Sequence, residues 1–125
     1  MIPKFRLYDP LDQKIREVAE IDWPLGIVGT CGGAIEHELD KVVLMQSTGL
    51  KNCEDINGAK CESWEGDIVE VGWSDETGEY HSHIIVLKNP FEYTADEVRW
   101  LVNCYYITIL GNIYENPELL GDEQR

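Results

Sequence analysis

The segment from Thr48 to Val69 constrains the fold of this chain more than any other stretch. It places Asn57-Gly58 between apolar residues. An Asn-Gly pair in that setting is the strongest short-range signal for a β-hairpin, because the favoured two-residue turns need a positive φ at both central positions. Gly66-Asp67 then precedes alternating apolar residues, as at the start of a strand. The segment therefore predicts two strands around an Asn-Gly turn, followed by another strand.

The rest of the chain alternates strand signals with turn signals and contains one helix signal. The predicted further strands are Phe5 to Tyr8, Ile15 to Trp23, Val42 to Met45, Tyr80 to Leu87 and Tyr105 to Leu110. The strand from Gly66 to Trp73 should pair with that from Tyr80 to Leu87 through the turn from Asp75 to Gly78. Thr94 and Glu97 form a capping box, and the apolar residues Val98, Leu101 and Val102 follow at helical spacing. We predict an α+β fold, mainly β, with about five to seven strands. One short helix near residues 94–103 should pack on a strongly bent sheet or an SH3-like small β-barrel.

Composition favours one domain over residues 1–125 and limits the partners. The chain has 125 residues, of which 43% are hydrophobic, enough for a single core. Its net charge is −14, from 24 acidic and 10 basic residues. Such a surface repels a phosphate backbone, so we expect no direct nucleic-acid binding. An alternative is that the acidity itself imitates nucleic acid toward a basic partner.

The sequence predicts a cytoplasmic protein with reduced cysteines. It shows neither a signal peptide nor an apolar run of the roughly 20 residues that a membrane span needs. The cysteines do not form a Cys-x-x-Cys pair, so we expect no zinc ribbon. Cys53 and Cys61 flank the Asn-Gly turn and should stay reduced, because disulfides are rare in the cytosol. Cys104 should fill the core from the last strand.

Few residues suggest chemistry. His81 and His83 lie two apart on a predicted strand, with Glu79 on the same side, and such a set can bind zinc or non-haem iron. No further ligand is evident, so we predict no metal site, and we expect His37 to lie in a polar loop. The glycine-rich stretch from Leu25 to Gly33 lacks the ending of a P-loop. Without a catalytic motif, we predict neither catalytic residues nor a cofactor.

Several blocks of the sequence occur in an order that resembles one family. These blocks are Ile2 to Arg6 with Asp9 after it, Leu44 to Lys51, Asn57-Gly58, Glu65 to Val69 and Gly111 to Leu120. The chain thus resembles the YopX protein family of phages and prophages. The resemblance implies one YopX-like domain over residues 1–125, rich in β-structure, in the cytosol of a bacterial host. It carries over no catalytic residue.

These observations predict a non-catalytic accessory protein that acts by protein–protein interaction or self-association. The block from Gly111 to Leu120 extends beyond the last predicted strand, where an unattached tail would fray. We therefore expect Ile113, Tyr114, Leu119 and Leu120 to dock this tail on the domain or on a second subunit of a homo-oligomer. The protein partner is not identified by the sequence. Two alternatives stay open: an acidic nucleic-acid mimic, and a metal-dependent enzyme that uses His81 and His83.

Overall fold

The computed structural model describes residues 4–31 and 36–120. Its strands are β1 (Phe5–Asp9), β2 (Lys14–Asp22), β3 (Ile27–Thr30), β4 (Glu36–Glu38), β5 (Val43–Gln46), β6 (Cys53–Glu54), β7 (Asp67–Ser74), β8 (Tyr80–Val86) and β9 (Tyr106–Asn112). The helix α1 is Ala95–Val102. The predicted α+β, mainly β class is confirmed. The nine strands found in these described ranges exceed the predicted number, because short strands such as β4 and β6 leave no clear pattern in the sequence.

The strands form two open sheets, one in each of two compact units, Met1–Ser47 and Thr48–Arg125. In the first unit the order is β4-β3-β2-β1-β5, and all neighbours are antiparallel. In the second the order is β6-β9-β7-β8, with only β6 and β9 parallel. Across the described residues neither sheet closes, so the SH3-like barrel is not formed.

The Asn57-Gly58 turn exists but differs from the predicted type. Gly58 has a φ of +83°, whereas Asn57 is not among the described residues with positive φ. Asp55 closes the turn, since its Oδ1 accepts the N–H groups of Asn57 at 2.8 Å and Ala59 at 3.1 Å. This is the pattern of a three-residue loop ending in a glycine bulge. The strands beside it are short, with only a bridge between Glu54 and Lys60.

Helix α1 begins at the predicted capping box but buries less than expected. Thr94 Oγ1 accepts from Glu97 N at 3.2 Å, and Glu97 Oε1 accepts from Thr94 N at 3.0 Å. Only Leu101 of the helix is buried. The prediction that Val98 and Val102 pack on the sheet is wrong, as they are 41% and 51% exposed. No helix in the described ranges is long and apolar enough to cross a membrane.

The core of the second unit gathers apolar residues from its sheet and from α1. The buried members are Cys53, Val69, Val71, Leu87, Leu101, Cys104 and Ile107. Cys104 lies between α1 and β9 and not in the last strand as predicted, but it is buried. Cys61 N donates to Cys53 O at 3.1 Å, so these residues oppose each other across the turn. Both are free thiols, and their redox state in the cell stays a prediction.

Candidate interaction surface

Strand β8 is the longest of the four strands that end the described sheets. It has seven residues, against four in β5, three in β4 and two in β6. It pairs with β7 along its whole length without a register shift. A long, regular edge is a template for another strand, because half of its backbone groups point away from the sheet.

Hydrogen bonds at both ends of β8 show which residues point away. The N–H of Leu87 donates to Asp67 O at 2.9 Å, and its C=O accepts from Gly66 N at 2.8 Å. At the other end, the C=O of Glu79 accepts from Asp75 N at 2.9 Å. Backbone groups alternate sides along a strand, so the odd-numbered residues of β8 point toward β7. The N–H and C=O groups of the even-numbered residues therefore point away from β7, into the space beside the sheet.

The outward row of N–H and C=O groups has defined ends. Within the described chain, no hydrogen bond reaches these outward groups. The residues that carry them are Tyr80, Ser82, Ile84 and Val86. On one side the row stops at the turn after Asp75, and on the other it stops at Lys88, whose N–H donates to Tyr93 Oη at 2.8 Å.

The side chains of β8 do not protect this edge. The strand contains no Asp, Glu, Lys, Arg or Pro, the residues that natural edge strands use to prevent pairing. Tyr80 and Ile84 are 56% and 41% exposed. By contrast, the edge strand β4 carries Glu36 and Glu38. The edge of β8 is therefore long, free of Asp, Glu, Lys and Arg, and partly apolar.

An aromatic cluster lies on one face of β8. His81 and His83 contact the ring of Trp73, with centroid distances of 5.4 and 5.0 Å. Trp73 in turn meets Trp100 of α1 edge to face at 5.3 Å. Both histidine rings thus lie on the same face of the strand, as predicted, and they pack against a tryptophan.

Asp75 organises the loop that leads into β8. Its Oδ1 accepts from Thr77 N at 2.9 Å, from Thr77 Oγ1 at 2.6 Å and from Glu79 N at 3.0 Å. Its Oδ2 lies 2.8 Å from His81 Nε2. The hydrogen bond to His81, followed by that to Thr77, holds the pKa of Asp75 far below its usual value. This carboxylate therefore fixes the hairpin and the first histidine together.

The same group defines what a metal ion would meet here. Asp75, Glu79 and His81 offer ligand atoms that lie within 4.8 Å of one another. His83 is not in this group, so the pair of histidine ligands that the alternative hypothesis requires is not found together in it. Asp75 already takes part in four hydrogen bonds, about as many as a carboxylate can accept. A metal ion bound by His81 Nε2 would have to displace the hydrogen bond between His81 and Asp75, and the hairpin accounts for the cluster without an ion.

Tyrosines flank the start of β8 on the sheet. Tyr105 stacks on Tyr80 at 5.7 Å, and its Oη lies 2.7 Å from Ser74 Oγ. The Tyr106 ring lies directly over Gly72, its partner across the strands, so that a Cβ at Gly72 would overlap it. Tyr80 and Tyr105 thus present aromatic area next to the free edge.

The predicted docking residues occupy two different positions. Ile113 N donates to Gly66 O at 3.0 Å, and a Cβ built on Gly66 would lie 3.1 Å from Tyr114 Cε2. Ile113 and Tyr114 therefore pack at the turn before β7. The other two candidates, Leu119 and Leu120, lie in the 3₁₀ helix Pro117–Leu120. Leu119 is 38% exposed.

Asn112 and Asn116 hold the tail in place. Asn112 Oδ1 accepts from Tyr114 N at 3.0 Å and from Glu115 N at 2.9 Å. Asn116 N donates to Asn112 O at 2.8 Å. A Cβ on Gly111 would lie 2.5 Å from Asn116 Oδ1, so the glycine makes room for that side chain. The described part of the tail is an ordered turn with its own hydrogen bonds.

A second group of polar residues lines a cleft of about 450 Å³ in the first unit. His37 Nδ1 and Arg16 Nη1 lie 3.5 and 3.7 Å from Asp9 Oδ2. Asp9 Oδ1 accepts from Leu11 N at 3.0 Å, so this carboxylate also closes a turn. His37 lies in strand β4, and its predicted placement in a polar loop is wrong. Gly32 and Gly33 of the glycine-rich stretch lie outside the described residues.

Two features of the site were not predicted from the sequence. The contact between Asp75 and His81 was missed, although the turn Asp75 to Gly78 was recognised and antiparallel pairing across it brings these residues close. The free edge was also missed, because the order of strands depends on distant pairing and not on local pattern. An uncharged alternating segment between two charged turns was the available signal.

Comparison with known proteins gives one family. The model of the YopX protein family matches residues 4–121, nearly the whole chain. Neither the search of curated proteins nor that of solved structures gave a match.

Proposed function

The chain belongs to the YopX protein family, and we propose that it is a non-catalytic accessory protein of phages and prophages that binds another protein chain along strand β8. The uncharged free edge of β8 is the observation that carries this proposal. Its outward backbone groups can pair with an extended segment, and such strand addition is a recurrent mode of protein recognition.

The neighbouring side chains support the same role. Tyr80 and Tyr105 are 56% and 64% exposed and stack on each other. Tyrosine and tryptophan are enriched among the residues that contribute most to protein interfaces. A partner strand beside β8 would gain main-chain hydrogen bonds and would cover this aromatic area. Affinity would come from the backbone and specificity from the side chains.

The two alternatives have less support. A nucleic-acid mimic must present free carboxylates, whereas several in the second unit accept backbone N–H groups. Asp55 accepts from Asn57, Asp67 Oδ2 accepts from Trp64 N at 2.8 Å, and Asp75 accepts from Thr77. A metal-dependent enzyme that uses His81 and His83 would need ligand atoms of both residues close to one ion. The group of neighbouring ligand atoms contains Asp75, Glu79 and His81, but not His83.

A photo-crosslinking experiment tests the proposal in cells that naturally express the chain. Tyr80 is replaced by benzoylphenylalanine, and the matched control carries the same residue at Ile56. Ile56 is 73% exposed and lies in the turn that contains Asn57 and Gly58, not in β8. We expect protein adducts of defined mass from position 80 and none from position 56. Absence of an adduct at position 80, or the same adducts at both positions, would contradict the proposal.

A further inference from the structure

We propose that the strand that pairs with β8 is β8 of a second copy of this chain, in a two-fold symmetric antiparallel dimer. The inference rests on the proposed function, since it names the occupant of the same edge. Closed two-fold dimers are the commonest protein oligomers, and their interface uses one surface twice. The surface must therefore be complementary to itself.

One register of two antiparallel β8 strands pairs all of their outward N–H and C=O groups. In antiparallel pairing, residues whose groups point outward face residues of the same kind. With the two-fold axis at His83, Ser82 faces Ile84 of the second copy and Tyr80 faces Val86 of the second copy. Every outward N–H and C=O group of β8 then has a partner. A shift by two residues in either direction leaves one outward residue of each copy unpaired.

The side chains suit this register. Tyr80 meets Val86 of the second copy, and a pair of an aromatic and a β-branched residue stabilises adjacent strands. Ser82 meets Ile84 of the second copy, so the exposed isoleucine is covered. No acidic side chain of β8 faces another, although each copy carries a net charge of −14.

Charges beside the strand add complementarity. In the same register Gly78 lies opposite Lys88 of the second copy. In each copy, the loop that contains Asp75, Glu76 and Glu79 therefore comes close to Lys88 of the other copy. Lys88 contacts Glu97 within its own chain, at 3.0 Å, and both side chains are partly exposed. The lysine can therefore face carboxylates of both copies.

The contact is modest, which sets the expected affinity. A typical stable interface buries about 1,600 Å², and one pair of seven-residue strands with its flanking tyrosines provides less. The repulsion between two acidic chains also opposes association and is screened within about 8 Å at physiological ionic strength. We expect a dissociation constant in the micromolar range, with tighter binding as salt rises from low to physiological concentration.

Sedimentation equilibrium of the purified full chain tests the proposal. Ser82→Pro removes an outward N–H that has no partner among the described residues, so the monomer should keep its thermal midpoint while the dimer weakens at least tenfold. Ser82→Ala is the matched control and should dimerise as the native chain does. Ile84→Lys places a charge on the edge and should also weaken the dimer. It provides a second test if the proline variant fails to fold.

The outcomes distinguish the dimer proposal from the proposed function of β8 as a binding edge. A dimer of the native chain and of Ser82→Ala, with a folded monomer for Ser82→Pro or Ile84→Lys, is the expected result. A dimer that persists in either folded edge variant would overturn the inference. A native chain that stays monomeric up to about a millimolar would also overturn it. In that case, adducts from position 80 to a different protein would leave the proposed function standing.

Discussion

At the scale of single residues, glycines in the second unit mark places where another side chain needs space. Gly72 lies under the Tyr106 ring, and Gly111 lies under Asn116. Neither fact is visible in local sequence, because the covering residue comes from a different strand or a later turn. The sequence predicted Gly66 as a strand entry correctly, since its positive φ of +88° is a local property.

Gly72→Ala should therefore destabilise the chain. The added methyl group would overlap the Tyr106 ring, which must leave its position over the strand. Overpacking of this kind costs about 1–3 kcal/mol. Urea unfolding measures the change. In a Tyr106→Val background the same substitution should cost much less, and an equal cost in both backgrounds would contradict the steric explanation.

Asp75 should make stability depend on pH in the acidic range. Its pKa is lowered in the folded chain, mainly by His81 and then by Thr77. A lowered folded pKa gives stability that is present above the unfolded pKa of about 3.9 and is lost as pH falls toward the folded value. Asp75→Asn should thus destabilise the chain at pH 6, with a smaller difference from the native chain at pH 3.

The matched control for this prediction is Glu76→Gln in the same loop. Glu76 is exposed, and no hydrogen bond is found for its side chain within the described residues. Its thermal midpoint should follow that of the native chain at both pH values. If Asp75→Asn also follows the native chain, the hydrogen bonds of Asp75 do not support the folded hairpin.

At the scale of elements, the sequence predicted what local pattern determines. The hairpin of β7 and β8 pairs as expected through the turn from Asp75 to Gly78, and α1 begins at its capping box. Long-range features were not predicted. The parallel pairing of β6 with β9 joins segments far apart in the chain. The helix buries Leu101 and brings Trp100 against Trp73, and in this orientation Val98 and Val102 stay partly exposed.

The tail after β9 is an element in which the Asn112 side chain bonds two successive backbone N–H groups. Asn112 is 6% exposed, and its Oδ1 accepts two backbone N–H groups. Asn112→Ala removes both bonds, and each hydrogen bond of this kind contributes about 0.5–1.5 kcal/mol to stability. We expect lower stability in urea unfolding and faster proteolysis after Tyr114. Glu115→Gln keeps an acceptor for Asn112 Nδ2 and should behave as the native chain.

Unchanged stability of Asn112→Ala would show that the tail does not dock on the unit. Deleting residues 116–125 is a coarser test of the same point, since it removes the Asn116 side chain over Gly111. This deletion should lower stability as well. If the dimer forms through β8, neither change should abolish it, because the tail is not part of that edge.

At the scale of the whole molecule, the net charge opposes association, whereas the free edge of β8 favours it. A net charge of −14 opposes nonspecific association and favours solubility. Strand β8 interrupts this pattern, since none of its seven residues is Asp, Glu, Lys or Arg. An edge without carboxylates lessens the charge repulsion that otherwise opposes association of this acidic chain. The sequence predicts protein interaction without a location, and the strand order is the reason that we propose β8 for it.

Hydrogen exchange of single amides, followed by NMR, tests this account most directly. In dilute protein, the N–H groups of His81, His83 and Ile85 should exchange slowly, because they bond to β7. The outward N–H groups of β8 should exchange fast. At concentrations above the dissociation constant, the N–H groups of Ser82, Ile84 and Val86 should become protected as well. Outward amides that exchange equally fast at every concentration, and in the presence of any protein captured at position 80, would contradict the claim that β8 is a binding edge.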